Sequence, residues 1–110
     1  MVIRVFRAKV RQGLQAQFER MVEQLSIPLI QAQKGLVAFY PGQQEGPTSH
    51  EFVLVTIWKD IESLRAFTGR NWLNTILPEE DLPVLEEIEV QGYEVFGVPE
   101  PPKKPLFNML

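Results

Sequence analysis

Two positions in the sequence carry side chains whose chemistry and placement suggest a binding site. Trp58 ends an apolar, β-branched run, where its indole can stack on an aromatic molecule or donate its N–H to a carbonyl oxygen. The alternative, which the position favours, is a tryptophan of the core or of an interface. Arg4 stands in the middle of another such run, among apolar residues, where a buried charge without a partner is costly. A guanidinium in such a place can hold an anionic or enolate-like oxygen of a substrate.

The alternative for Arg4 is a salt bridge with Glu94 on a neighbouring strand. Charge counts favour this alternative, because residues 1–20 contain five basic residues and one acidic residue, whereas residues 76–94 contain seven acidic residues and no basic one. If the first and last strands are neighbours, these opposite charges lie across from one another. We therefore expect the ion pair and keep anion binding as the second possibility.

His50, the single histidine, is a candidate general base because imidazole titrates near neutral pH. Its position at the edge of a loop favours a solvated role instead, and the spacing around it supports no Ser–His–Asp arrangement. The hydroxyls of Thr56, Tyr40 and Tyr93 can serve either a pocket or packing. One histidine, no cysteine and scattered carboxylates fit no metal-ligand pattern, so no metal is expected.

Three segments towards the C-terminus carry further signals. The acidic run at 79–81 is typical of a helix N-terminus, where it complements the helix dipole, rather than of a cation site. The apolar segment at 72–77 fits a lid over a pocket as well as it fits a cap on the core. Beyond residue 97 a proline-rich tail ends in apolar residues, and we expect it to dock across a partner subunit, with disorder as the alternative.

Composition places the chain among single-domain globular proteins. It has 110 residues, 45% hydrophobic content and a net charge of −3, which excludes both general disorder and a nucleic-acid footprint. Without cysteine there is no disulfide framework, thiolate metal site or thiol nucleophile. No apolar run approaches the roughly 18 residues of a membrane span, and the first residues do not resemble a signal peptide, so a cytoplasmic protein is expected.

The apolar periodicity divides the chain into six elements. Strands are predicted where β-branched and apolar residues cluster, and helices where apolar residues recur every three to four positions. Pro28 should kink the first helix because its ring removes a backbone donor, and Asp60 should cap the second helix. In order, the elements are a strand at 2–10, a helix at 14–33, strands at 36–41 and 51–58, a helix at 61–69 and a strand at 88–96.

The order strand–helix–strand–strand–helix–strand is that of the ferredoxin-like α+β fold, with both helices on one face of a four-stranded antiparallel sheet. The other face of such a sheet normally alternates apolar with polar residues, but the run at 51–58 does not alternate. We expect Phe52, Leu54 and Trp58, beside Phe6, to form an exposed apolar patch that a second copy covers, sheet against sheet. The sequence therefore predicts a homodimer.

Five local features carry a family resemblance. They are the first strand running into Arg11-Gln12-Gly13, Phe18 in the first helix, Gly35 before the second strand, the run at 51–58, and the segment Glu-Ser-Leu-Arg-Ala at 62–66 behind it. In these features the chain resembles the antibiotic biosynthesis monooxygenase family. The resemblance covers about residues 1–96 and implies a ferredoxin-like domain that pairs as a dimeric α/β barrel, leaving residues 97–110 as a separate tail.

The resemblance also implies an oxidoreductase. Members of the family include cofactor-independent oxygenases of aromatic polyketides and haem-degrading oxygenases, and the oxygenases bind substrate between the sheet and its helices. A tryptophan near the end of the third strand lines that pocket in several members, and Trp58 matches it. Haem degraders use a histidine of the helix behind this strand, where the present sequence has Phe67, so haem degradation is not expected.

Together these observations lead to the hypothesis of a monooxygenase that needs no cofactor and acts on a small aromatic or quinone-like molecule, without nucleic-acid or membrane partners. The alternative is a non-catalytic homodimer that binds a small apolar ligand or serves in assembly, so enzymatic activity itself stays open. No catalytic base is identified. The residues expected to bind substrate are Trp58, Arg4, Thr56, Phe6 and Phe67.

Overall fold

The computed structural model describes residues 1–70 and 83–97. Within them lie four strands, three α-helices and one π-helical segment. The strands are β1 (Val2–Val10), β2 (Leu36–Gln43), β3 (Glu51–Trp58) and β4 (Leu85–Glu94). The helices are α1 (Gln15–Met21), α2 (Ile27–Gln31) and α3 (Ile61–Thr68), and the π-helical segment (Val22–Ser26) joins α1 to α2.

The four strands form one antiparallel sheet in the order β2-β3-β1-β4. The first and last strands therefore pair with one another, and the two helical crossovers lie on one side of the sheet, as right-handed connections require. This arrangement confirms the predicted ferredoxin-like α+β fold. No helix within the described ranges is long and apolar enough to cross a membrane.

The first helical stretch changes its hydrogen-bond pattern before Pro28. The backbone N–H of Ile27 donates to the carbonyl of Val22, five residues back, which makes one wide π turn. Pro28 then stands in the first turn of α2, where it has no N–H to donate and so falls at the point where the wide π turn gives way to α-helix. Where a kink was expected, the helix therefore changes to a π-helical segment and then returns to α-helix, with a helical backbone throughout.

The core lies between the helices and the face of the sheet that carries the even-numbered residues of β1 and β3. Phe18 of α1 meets Phe52 of β3 with 4.9 Å between ring centroids. Around them pack Phe6, Ala8, Val10, Val22, Val84 and Leu85. Burial of this apolar surface is the main stabilising contribution to the fold.

This packing corrects the predicted exposed patch. Phe52, Trp58 and Phe6 are buried under the helices of their own chain, with 6%, 0% and 3% of their surfaces exposed. The prediction was wrong about the face because a non-alternating strand does not reveal which of its two apolar faces the helices cover. The expectation of an apolar surface outside the core still applies, but to the opposite face, where Val53, Val55 and Ile57 of β3 are only half-buried.

The side of the sheet opposite the helices is called the open face below. Its cross-strand neighbours divide it into an apolar half and a charged half. The apolar half comprises Ile3, Val5, Ala38, Tyr40, Val55, Ile57 and Tyr93, together with one polar residue, Gln91, opposite Val5. The charged half comprises Arg7, Lys9, Glu51, Glu87 and Glu89.

Two strands differ in extent from the sequence prediction. β2 runs on to Gln43 through Pro41 and Gly42, which an edge strand tolerates because one side of its backbone has no ladder to complete. β4 begins at Leu85 and ends at Glu94, whereas the prediction placed it at 88–96. The acidic residues at the start of β4 have a low strand propensity, but they belong to the strand because β4 pairs with β1 along its whole length.

The beginning of α3 follows the prediction closely. The Asp60 carboxylate accepts a hydrogen bond of 2.8 Å from the backbone N–H of Ser63, which makes it the N-cap. Gly35 lies against this turn with a φ of 84°, and a Cβ at that position would overlap the side chain of Ser63. The close approach of β2 to α3 therefore requires a glycine at this point.

Three sequence predictions fall outside the described residues. These are the lid or cap at 72–77, the helix N-terminus at 79–81 and the docking of the tail beyond residue 97. The division of the chain at residues 96 and 97 likewise remains a prediction.

Candidate functional site

Strands β1 and β3 bring the two chemically distinctive residues of the sequence together. In their register Arg4 stands opposite Thr56, and Val2 stands opposite Trp58. Directly paired residues point to the same side of a sheet, so Arg4, Thr56 and Trp58 all face the helices. All three are buried, Arg4 with 8% of its surface exposed.

Two aromatic rings complete the group. Phe67 of α3 stacks on Trp58, with 5.5 Å between centroids and 23° between planes. The ring of Phe6 lies 6.0 Å from the guanidinium carbon of Arg4, within the range of a cation–π contact. The five residues named from the sequence thus form one contiguous group, which we call the Arg4–Trp58 cluster.

A hydrogen bond inside the cluster changes the role expected of Trp58. Its indole Nε1–H donates to Oγ1 of Thr56 at 2.9 Å, so this proton is already committed within the protein. A hydroxyl that accepts one hydrogen bond still has its own proton to donate. The Thr56 hydroxyl, polarised by the indole, is therefore the group of the two that can still donate a hydrogen bond to a ligand.

Arg4 contributes a buried positive charge. Desolvation lowers the pKa of its guanidinium below the usual value, yet an arginine keeps its charge at neutral pH. The expected partner, Glu94, stands opposite Val2 in the β1–β4 register, while Gly92 stands opposite Arg4. Glu94 is also exposed. The register of β1 and β4 therefore does not place Glu94 directly opposite Arg4, as the sequence predicted.

The remaining candidates from the sequence lie elsewhere. His50 directly precedes β3, at the end away from Trp58. Its Nδ1–H donates to the carbonyl of Val10 at 2.6 Å, and a carboxylate oxygen of Glu86 lies 3.9 Å from the same nitrogen. It therefore fastens the end of β1 rather than serving the cluster. Tyr40 and Tyr93 are exposed on the open face, so their hydroxyls do not reach the helix side.

Sequence reasoning missed a cavity of about 170 Å³ between the helical layer and strands β2 and β3. Phe52 and Leu54 line it from the sheet, and Glu19 and Glu23 line it from the helical layer. The available signal was Pro28, since a proline inside a predicted helix marks a place where the helix must change its geometry. Neither Glu19 nor Glu23 stands out by type or spacing alone.

The described part of the chain contains no group of three or more histidine, aspartate or glutamate side chains arranged to hold a metal ion. The Arg4–Trp58 cluster itself offers a buried cation, a polarised hydroxyl and aromatic surfaces. Such a set can stabilise an anionic oxygen on an aromatic molecule.

Comparison with solved structures identifies the same fold in several proteins. A candidate antibiotic biosynthesis monooxygenase from Deinococcus radiodurans superposes with a TM-score of 0.72 at 10% identity, over 91% of this chain and 97% of that one. SnoaB, a cofactor-independent oxygenase from Streptomyces nogalater, has a TM-score of 0.67 at 18% identity, over 88% and 94%. MhuD, solved with two manganese protoporphyrin IX molecules per active site, has a TM-score of 0.69 at 16% identity, over 92% and 100%.

At these identities the structural likeness shows the fold, and the family assignment comes from the sequence. No curated protein matches the chain. The sequence model of the antibiotic biosynthesis monooxygenases, however, matches residues 1–71, which is well over half of the 110 residues. The chain therefore belongs to the antibiotic biosynthesis monooxygenase family.

Proposed function

We propose that this protein is a monooxygenase-type enzyme that needs no cofactor and oxygenates a small aromatic or quinone-like molecule. The observation that carries the proposal is the Arg4–Trp58 cluster, in which a buried guanidinium and a polarised hydroxyl lie beside aromatic rings. Membership in the family and the likeness to SnoaB, a cofactor-independent oxygenase, support the same class of reaction.

In the proposed reaction, a methylene carbon that is conjugated with a ketone through aromatic rings loses a proton to solvent, and its electrons delocalise through the rings onto the carbonyl oxygen as an enolate. The enolate reduces O₂, one oxygen atom of which becomes the new carbonyl group while the other leaves as water. The two C–H bonds of the methylene are thereby replaced by one C=O bond. The protein's part is to bind the ring system, favour the deprotonated form and exclude water.

Each residue of the cluster has a role in this scheme. Arg4 stabilises the enolate oxygen, and its burial strengthens that interaction because water does not screen it. The Thr56 hydroxyl donates to the same oxygen, since the indole of Trp58 already occupies its acceptor side. Phe67 and Trp58 offer stacked aromatic surface for the substrate ring.

A haem-dependent reaction has less support from these residues. At the position where the family's haem degraders carry a histidine, this chain has Phe67, whose ring is stacked on Trp58. His50 stands at the opposite end of β3, tied to the carbonyl of Val10. The porphyrin complex of MhuD is therefore not extended to this protein, and the cofactor-free reaction is preferred.

We also propose that the active form is a homodimer in which the open faces of two copies pack together. The support is the row of half-buried valine and isoleucine side chains on that face, which a second apolar surface would remove from water. Such contact is isologous, with the same patch on both subunits. Native mass spectrometry tests it directly, with a species of twice the chain mass expected and a monomer alone at micromolar concentration counting against it.

The test of the enzymatic proposal is oxygen consumption with anthrone, a three-ring ketone whose methylene carbon lies across the central ring from its carbonyl group. The expected product is anthraquinone, with one O₂ consumed per turnover. Arg4→Met should lower kcat/KM about a hundredfold, as the loss of a preorganised oxyanion partner does in other enzymes. Trp58→Phe should lower it less, because the aromatic surface remains while Thr56 loses its donor.

The matched control is Arg20→Met, which removes an arginine from the exposed side of α1 without touching the cluster. It should leave kcat/KM unchanged. If the parent protein consumes no oxygen with anthrone while Trp58→Phe lowers only its stability, the non-catalytic alternative replaces the proposal. An equal loss of activity in Arg20→Met and Arg4→Met would remove the role assigned to the buried guanidinium.

A further inference from the structure

The cavity beside the π-helical segment has room for one small ring. Its volume of about 170 Å³ is close to the roughly 150 Å³ of an apolar protein cavity that accepts benzene. None of the five residues of the Arg4–Trp58 cluster lines it directly, but Leu54, which does, stands opposite Phe6 of that cluster. The lining residues are Glu19, Val22, Glu23, Ile27, Pro41, Gly42, Gln43, Phe52 and Leu54.

The π turn contributes directly to the wall of this cavity. The hydrogen bond from the N–H of Ile27 to the carbonyl of Val22 closes the wide turn, and both residues line the space. A π turn inserts one residue more than an α turn and displaces the helix surface locally, and such turns occur frequently at functional sites. The helix irregularity therefore forms one wall of the cavity.

The charged residues that line the cavity are both acidic. Glu19 and Glu23 are four residues apart and lie on the same side of the helical layer, an arrangement in which two negative charges repel one another. Among the described residues, neither carboxylate takes part in an ion pair, and none of the residues that line the cavity is basic. A positive charge placed between them would relieve the repulsion.

We propose that this cavity binds a protonated amine carried on a single apolar ring, with the ring against Phe52 and Leu54 and the ammonium group between Glu19 and Glu23. The aromatic face of Phe52 adds a favourable surface for a cation. The ligand class follows from the combination of an apolar floor with two carboxylates. A neutral ring would leave the carboxylates unrelieved, and an anion would be repelled.

This inference rests on the proposed function, because it assigns the amine to the substrate of the proposed oxygenase. Phe52, Leu54, Thr56 and Trp58 point to the same side of β3, and same-side neighbours in a strand are about 6.6 Å apart. A ring held at Leu54 therefore lies one side-chain step from Thr56. The substrate of the enzyme would be an aromatic ketone with an amine-bearing ring at one end.

The test is a titration of the protein labelled with nitrogen-15, followed by amide chemical shifts. The probes are benzylamine, its neutral analogue benzyl alcohol and its anionic analogue benzoate. Benzylamine should bind about tenfold more tightly than benzyl alcohol, as expected for contacts with two solvent-exposed carboxylates, and benzoate should not bind. The shifts should concentrate at Gly42, Gln43, Phe52 and Leu54.

Glu23→Gln and Glu19→Gln should each reduce the preference for benzylamine to about threefold, because the shape is kept while one charge is lost. Glu45→Gln, in the exposed loop after β2, is the matched control and should leave the preference at its parent value. Equal binding of benzylamine and benzyl alcohol, or an equal effect of Glu45→Gln, would overturn the proposal. So would shifts confined to residues outside the cavity.

The binding titration requires no turnover, so its outcome is separate from that of the oxygen assay. Binding of benzylamine at the cavity in a protein that consumes no oxygen would keep this site and remove the enzymatic proposal. Turnover of anthrone without any preference for benzylamine over benzyl alcohol would keep the enzymatic proposal and remove the amine site.

Discussion

The two faces of the sheet are built from the same kinds of residues but are completed in different ways. On the helix side, Phe52 and Trp58 are buried within their own chain, and Arg4, the one buried charged residue in the part of the chain that the structure describes, lies with them. On the open face, Val55 and Ile57 of the same strand remain half-buried. A strand that is apolar on both faces therefore contributes a core on one side and, in the proposed dimer, the contact surface on the other.

The charges differ between the faces as much as the apolar residues do. Arg4 on the helix side is desolvated, so its electrostatic interactions are strong and expensive. Lys9 and Glu87 on the open face form an exposed pair of 3.2 Å, where solvent and salt screen the attraction. The comparison supports the proposal that the chemistry takes place on the helix side, and it indicates that charge on the open face contributes little to the stability of one subunit.

The largest expected effect comes from truncating the centre of the helix side. Trp58→Ala should reduce the free energy of unfolding by about 4 kcal/mol, because Trp58 is fully buried and its removal leaves a large cavity. Urea denaturation measures this loss. Val37→Ala, at an exposed position of β2, is the control and should cost less than about 0.5 kcal/mol. A loss in Trp58→Ala as small as that of the control would contradict the assignment of this side as the core.

The next effect should appear on the open face. Val55→Asp should raise the dissociation constant of the proposed dimer about a hundredfold, because it places like charges in the apolar half of both copies. Sedimentation measurements over a range of concentrations would detect it. Leu25→Asp, on the outer surface of the helical layer, should leave the dimer intact. Dissociation by both substitutions, or by neither, would show that the open face is not the contact surface.

A smaller effect is expected where α3 begins to cover the helix side. Hydrogen bonds from Ser63 hold the pKa of Asp60 below its usual value. A lowered pKa stabilises the fold at pH values above the ordinary pKa of the group, and this contribution is lost as the pH falls through the lower folded value. Asp60→Ala should lower the Tm by about 5 °C at pH 7, measured by circular dichroism.

The pH dependence provides the control for this prediction. Asp60→Asn keeps an acceptor for Ser63 but has no charge, so its Tm should approach that of the parent as the pH falls from 7 to about 2.5. A Tm difference that stays constant over this range would mean that the charge of Asp60 does not stabilise the helix.

The smallest effect is expected from the exposed pair. A hydrogen bond to Glu87 raises the pKa of Lys9, so any stabilisation is present below the ordinary lysine pKa and is lost as the pH rises through the higher folded value. Lys9→Met should therefore change the Tm at pH 7 by no more than about 1 °C, since exposed pairs contribute little. A fall of several degrees would show that the charged half stabilises the subunit and would weaken the contrast between the faces.

Much of the architecture was predictable because its signals are local. The apolar run of β3, the Asp60 cap and the order of the six elements depend on side chains near one another in the chain, and the structure reproduces them. The five residues of the Arg4–Trp58 cluster were also named from the sequence, since strand alternation and the family resemblance both pointed to that side of the sheet. Their role in binding remains a prediction.

Other features depended on which elements meet in space. The helices cover one of two similarly apolar faces of β3, and strand composition alone does not distinguish the faces. The partner opposite Arg4 depends on the β1–β4 register, where a shift of two residues exchanges Glu94 for Gly92. The cavity beside Glu23 exists because a π turn, the edge of β2 and the side chains of β3 meet at one place. The sequence by itself determined the elements and their order, since short-range preferences specify them. Only the tertiary structure decided the faces, the register and the cavity, because these are set by contacts between residues far apart in the chain.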